Sequence, residues 1–316
     1  MSVATAPSEA TTGSGPAVSP RAELFRALGA LCETPVPGHE RIAQALGLPG
    51  RPDPAEHAAV FLFQSYPYAS VHLGPEGMLG GEARDRVAGF WRALGLVPPA
   101  EPDHLAALLG LYATLIEAEL AERDAARLVL RREARRALLW EHLLSWVVPY
   151  LAKLGEIAGP YHQAWAGLLE RALLEEATEL TSADRLSLHL RTAPPLPQTD
   201  ASADEWLVAM LAPVRSGMFL VRGDLASAAR DLGLALRMGE RAYVLRALFQ
   251  QDAPATITWL SSQAESWIAR HRATEPFLGQ IARFWGSRAA ATAAALRDPW
   301  LSRPRSGDGL GRAAGG

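Results

Sequence analysis

The chain has 316 residues, 49% hydrophobic and 21% charged, enough to bury a sizeable core in one large or two modest domains. The formal net charge of -3 divides unevenly. Residues 1–203 carry 17 basic and 24 acidic groups, a net of -7, whereas residues 204–316 carry 14 and 10, a net of +4. An acidic front part repels nucleic acid and suits a basic peptide. A single cysteine, Cys32, excludes an internal disulfide and an intrachain thiolate cluster, and a single lysine, Lys153, leaves no lysine for a phosphate loop. No apolar run reaches the ~20 residues of a membrane span. The stretch from Met1 to Pro20 has neither a basic n-region nor an apolar h-region, so a cytoplasmic location is expected.

Residues 1–20 and 303–316 are small, polar and rich in Gly and Pro, and are expected to be disordered tails. Leu24, Leu28 and Leu31 predict a first amphipathic helix, ended by Pro35, Pro37 and Gly38. A second is expected over 40–46. A third, from Asp53, carries Ala59, Phe63 and Tyr66 until Pro67 interrupts it. Val87, Phe90, Trp91 and Leu94 fall at i, i+3, i+4 and i+7 in a helix over 82–94. Leu105, Leu108, Leu109, Tyr112, Leu115 and Ile116 make the cleanest core-facing stripe.

The charged run 122–136 reads as a solvated helix face with i,i+4 pairs. Pro149, inside the apolar helix of Leu144, Val147, Val148, Leu151 and Leu154, predicts a kink. The Pro-rich segment 191–204 reads as a linker, followed by helices over 205–221, 225–236, 240–250, 254–272 and 274–296. No segment alternates with a two-residue period, so the expected class is all-α: a helical domain over 21–190 and a helical C-terminal extension over 205–302.

One stretch breaks this pattern. Tyr68, Ser70 and His72 alternate after Pro67, and an extended backbone there would turn all three to one side as a polar, aromatic ledge. The competing reading is a loop whose hydroxyls and imidazole satisfy nearby backbone. Glu101, Pro102, Asp103 and His104 follow, and the first three suit the start of a helix, with proline and carboxylates in its first turn. His104 is not accounted for in that way. Neighbours on one short turn rarely converge on a metal ion, so no metal site and no cofactor is expected. His142 and Trp146 stand at i, i+4, with core packing as their default role.

Tyr-Pro-Tyr-Ala-Ser-Val-His-Leu over 66–73, then Leu79-Gly80-Gly81-Glu82, Trp91–Leu96, Glu101-Pro102-Asp103-His104-Leu105, and His142-Leu143 with Trp146, Pro149 and Tyr150 occur in an order that resembles the TorD-like chaperones. These include the nitrate reductase delta (NarJ-type) assembly proteins and the DmsD-type proofreading chaperones. The resemblance covers about residues 22–180. It implies an all-helical fold without catalysis of its own. It also implies a cytoplasmic role in holding the apo catalytic subunit of a molybdopterin oxidoreductase, often by its twin-arginine signal peptide, until cofactor is inserted. On this reading the partner-binding residues are Tyr68, Ser70, His72, Glu101, Pro102, Asp103, His104, His142 and Trp146. Two alternatives stand beside it. One is a nucleotide-binding or weakly hydrolytic protein using Asp103 and His104. The other is a DNA-binding regulator acting through residues 205–270, where Leu225–Leu234 faintly resembles a helix-turn-helix.

Overall fold

The first helix, α1 (Pro20–Ala30), begins where Ser19 accepts a hydrogen bond from the amide of Ala22 and Pro20 occupies the first turn. In a computed structural model, which describes residues 19–181, 185–197 and 201–297, every named element is helical; an isolated bridge between Tyr68 and His104 is the one β-type pairing among the described residues. The expected all-α class is observed. The chain continues through α2 (Pro37–Ala45), α3 (Pro54–His57), a π-helical turn over Ala58–Gln64, α4 (Ala69–Leu73), α5 (Gly81–Ala93), α6 (Leu105–Ala121) and α7 (Ala125–Ala137). A second π-helical turn over Leu138–Leu143 leads to α8 (Val147–Ile157), α9 (Pro160–Glu179) and α10 (Leu188–Thr192). The remaining helices are α11 (Ala203–Leu211), α12 (Pro213–Ser216), α13 (Arg222–Asp231), α14 (Arg241–Gln251), α15 (Ala253–Leu278) and α16 (Gln280–Leu296).

The stripe predicted on α6 is buried throughout and packs on α1, where Phe25 meets Tyr112 edge-on at 4.8 Å. Trp165 of α9 closes the same core by donating to the carbonyl of Leu28 at 3.0 Å. The charged run differs from expectation at its end. Most of α7 is exposed, but Arg135 is buried and holds α7 to its neighbours through Glu119 on α6 and Glu179 on α9, at 2.9 and 2.8 Å. Arg21 and the hydroxyl of Tyr112 join the same network at Glu176.

Pro149 does not kink a helix. The helical path breaks at 144–146, where the π-turn closes with the amide of Leu144 on the carbonyl of Leu139 at 2.8 Å, and α8 starts afresh at Val147. Pro149 therefore lies in a first turn, where its missing N–H is not needed. The helix expected over 205–221 is also divided. Pro213 opens the short α12, and Gly217 stops it with φ +75°. A Cβ at Gly217 would stand 2.2 Å from the amide nitrogen of Ala289 on α16, so both its backbone angle and its close approach demand glycine. Near the end of the chain, α15 runs on past Thr274 and takes Pro276 into its last turns, breaking at Gly279.

The expected linker is strapped down in part. Arg288 donates to the carbonyl of Ala193 at 2.6 Å and Arg215 to that of Pro195 at 3.1 Å. Side chains from both sides of it join one hydrophobic cluster, from Ala22 to Leu296. The expected tails lie outside the described residues but for Ser19 and Pro20, which start α1.

Candidate functional site

The ledge expected at Tyr68, Ser70 and His72 is not there. Residues 69–73 form a helical turn, α4, with Tyr68 as its N-cap, so the three side chains do not share a side and Ser70 and His72 are buried. The cause is a partner distant in sequence. The carbonyl of Asp103 accepts from the amide of Ala69 at 3.0 Å, its Oδ2 accepts from the amide of Ser70 at 3.0 Å, and the amide of Leu105 donates to the carbonyl of Pro67 at 2.8 Å. Asp103 thus supplies the cap that α4 lacks locally. His104 does the same for α6, its Nδ1 accepting from the amide of Ala106 at 3.1 Å. The rings of Tyr68 and His104 meet edge-on at 4.7 Å, and Trp91 donates to the carbonyl of Pro102 at 3.3 Å. The hydroxyl of Ser70 accepts from the amide of Gly80 at 3.2 Å, closing the intervening loop.

The two motif stretches are therefore one clamp. Asp103 and His104 are both engaged with backbone amides, which leaves no free acid–base pair between them. Burial holds the His104 imidazole below its ordinary pKa, and burial, then the neighbouring Glu101 carboxylate, pushes the Tyr68 phenol up. Glu101 is exposed at the clamp's edge and Pro102 is buried.

His72 sits in an aromatic stack. Its ring lies parallel to Trp146 at 5.0 Å and to Phe219 at 5.3 Å, with Tyr150 tilted against it at 5.1 Å. Its Nε2 donates to the carbonyl of Tyr66 at 2.9 Å, which fixes the tautomer and leaves Nδ1 as a buried acceptor without a partner. Burial lowers its pKa to about 3, so the ring is neutral. Phe219 continues the stack to Trp267 and Trp285, and Trp285 donates to the carbonyl of Ser145 at 3.0 Å. Trp146 is fully buried and donates to the carbonyl of His142 at 2.9 Å. His142 lies apart from this stack, against Phe90 and 3.3 Å from His189. Burial lowers this pair to about 3 and about 4 respectively. Neither Trp146 nor His142 offers a free surface.

Beside the stack, with His72 in its wall, opens a groove of about 430 Å³. One wall is the π-turn and the loop after α4, with Phe63, Tyr66, Met78 and Leu79. The other comes from Val208, Leu211, Phe219, Arg222, Glu240 and Arg241. Phe63, Met78 and Leu79 are 66%, 69% and 57% exposed, a concentration of large apolar side chains at one mouth. Two contacts, from Gln64 and from Gly77, fasten the walls to each other, and a third, from Lys153, ties the second wall to α8. Gln64 Oε1 accepts from the amide of Gly223 at 2.8 Å. Lys153, buried on α8, reaches Asp224 on α13 at 3.1 Å and Glu156 at 2.6 Å. Gly77, with φ +64°, approaches Ala212 so closely that a Cβ would stand 3.2 Å from its Cα.

Sequence reasoning named the clamp and missed the groove beside it. The signal available was Met78-Leu79, a pair of large apolar residues between glycines. The second wall, more than a hundred residues later, gives no local signal. The faint helix-turn-helix does not form a basic face: Arg241 enters the groove wall, Arg246 pairs with Asp204 and Arg237 stands exposed between α13 and α14. Among the described residues no cluster of three or more His, Cys, Asp and Glu could hold a metal ion, and no helix is long and apolar enough to cross a membrane.

No curated protein matches the chain. Residues 55–152 match the family described as nitrate reductase delta subunit. That segment holds the clamp, the first groove wall and Trp146, and leaves the second wall outside it. Over residues 55–152 the chain is thus similar to the nitrate reductase delta subunit family, a family of molybdoenzyme maturation chaperones of the NarJ/TorD type.

Proposed function

We propose that this protein is a cytoplasmic chaperone that holds the apo catalytic subunit of a molybdopterin oxidoreductase while cofactor is inserted, and that the groove between the two walls is where a segment of that client lies. The observation that carries this reading is the exposure of Phe63, Met78 and Leu79, all three within the family-matched segment, at the mouth of a groove of about 430 Å³. Water-exposed side chains of that size in one place mark a surface kept for a partner. The aromatic stack beneath gives the groove a fixed floor, so binding would cost little reorganisation. Glu76 and Glu240 are exposed among the lining residues and suit the arginines of a twin-arginine signal peptide, whose apolar body would enter the groove. Tyr68, Asp103 and His104 act on this reading by positioning: they hold α4 and its following loop as the first wall.

The test is purification of the tagged protein from its own host, with identification of what it carries. A molybdopterin oxidoreductase catalytic subunit should accompany the wild type and be lost from the Phe63→Ser, Met78→Ser double variant. Retention of that subunit by the double variant would remove the groove from the account, and absence of any such subunit from the wild type would remove the chaperone reading.

A further inference from the structure

The second wall of the groove carries a cation that makes no direct ion pair among the described residues, the nearby Asp224 carboxylate acting on it only at longer range. Arg241 is the first residue of α14, half-buried in the groove wall, and its guanidinium donates to the carbonyls of Leu220 at 2.6 Å and Leu211 at 3.5 Å. These neutral acceptors satisfy a minority of its donors. Among the described residues no carboxylate stands within ion-pair distance of it. Asp224, on the same wall, is committed to Lys153 at 3.1 Å and to the amide of Val221 at 2.7 Å. Glu240 precedes Arg241 in the chain but is exposed and forms no ion pair. Arg222, also lining the wall, adds a second positive charge. The first turn of a helix is moreover the end at which its dipole disfavours a cation. A charge kept partly from water, unpaired and at the wrong end of a helix costs stability unless a ligand completes it.

We infer that Arg241 is an anchor for a carboxylate, and that the client segment seated in the groove is apolar with an acidic group at this point. This rests on the groove reading above and adds a specificity determinant from outside the family-matched segment. A bidentate guanidinium–carboxylate contact beside Phe219 and Val221 would be stronger than a surface ion pair, because the guanidinium is already partly withdrawn from water. The sign of the preference is the informative part. The front half of the sequence, at net -7, favours a basic peptide, whereas this wall selects an acidic group within the apolar body.

The experiment uses the full chain and three fluorescent leucine- and alanine-rich peptides. One carries a single glutamate and an amidated C-terminus, one glutamine and an amidated C-terminus, and one glutamine and a free C-terminal acid. Wild-type protein should bind the glutamate peptide about tenfold more tightly than the glutamine amide. Preference for the third peptide instead would assign the carboxylate to a chain end. Arg241→Met should erase the preference while still binding the glutamine amide, and Arg241→Lys should keep part of it. Arg241→Glu should prefer an arginine-bearing peptide. The wild-type comparison needs no variant, so misfolding of any variant does not remove the test. Equal binding of all three peptides overturns the carboxylate anchor and leaves the groove standing; binding of none overturns the groove as well.

Discussion

The clamp and the groove mouth lie side by side in the chain and differ in almost every physical respect. Asp103, Ser70, His72 and Trp146 are buried, and their polar atoms are largely engaged with backbone amides and carbonyls. Phe63, Met78 and Leu79 are exposed and carry nothing but apolar surface. The residues that give the family resemblance its motif belong chiefly to the first set. What they do is place the second set: Asp103 caps α4, Ser70 closes the loop that follows, and the loop presents Met78 and Leu79. A motif can therefore be specific without being the contact surface.

This contrast can be broken most strongly from the buried side by acid. His72 and His142 are held neutral by burial with pKa values of about 3, and His189 and His271 with values of about 4. Each folded value lies below the ordinary 6.5, so below that pH the unfolded chain binds protons that the native chain does not. The stability they contribute is complete above pH 6.5 and is lost as pH falls toward 4 and 3. At pH 5 each histidine that stays neutral costs about 2 kcal/mol relative to pH 7. Urea midpoints should fall steeply between pH 7 and 5; a flat profile would show that these rings are hydrated in solution.

Removing the indole at one end of the stack is the next largest effect. Trp146→Ala should cost about 3–5 kcal/mol, read as a lowered urea midpoint, because a fully buried indole leaves a cavity on which His72 no longer stacks. Asp103→Ala should cost about 1–2 kcal/mol through the lost cap on α4, and Asp103→Asn less, since an amide oxygen can still accept from Ser70. The smallest effect on stability is expected at the groove mouth. Phe63→Ser with Met78→Ser should change the stability read from urea unfolding by under about 0.5 kcal/mol while abolishing client retention. A large loss of stability in that double variant would mean that the two side chains are packed in solution and not kept for a partner.

The helical class and the α6 stripe were legible because apolar residues at helical spacing need no knowledge of the rest of the chain. The clamp was legible only as a motif. Its local geometry was misread, since alternating Tyr68, Ser70 and His72 after a proline read as extended unless Asp103, 33 residues beyond Ser70, is known to cap a helical turn there. The start of α8 was misread for a similar reason: Pro149 reads as a kink until the π-turn at Leu138–Leu143 is known to end the preceding helix. Least legible was the second groove wall. Phe219, Arg222 and Arg241 are brought to the first wall through the aromatic stack, the Gln64–Gly223 bond and the close approach of Gly77 to Ala212, and none of these pairings has a periodic signature.

The central claim is that the groove mouth, and not another exposed apolar surface, meets the client. A photo-crosslinking amino acid placed singly at Met78, at Phe63, or at the exposed Leu130 of α7 tests it most directly in the native host. The account predicts a molybdopterin oxidoreductase catalytic subunit joined at Met78 and Phe63 and absent from Leu130. Crosslinking of that subunit only at Leu130, or equally at all three positions, would contradict it.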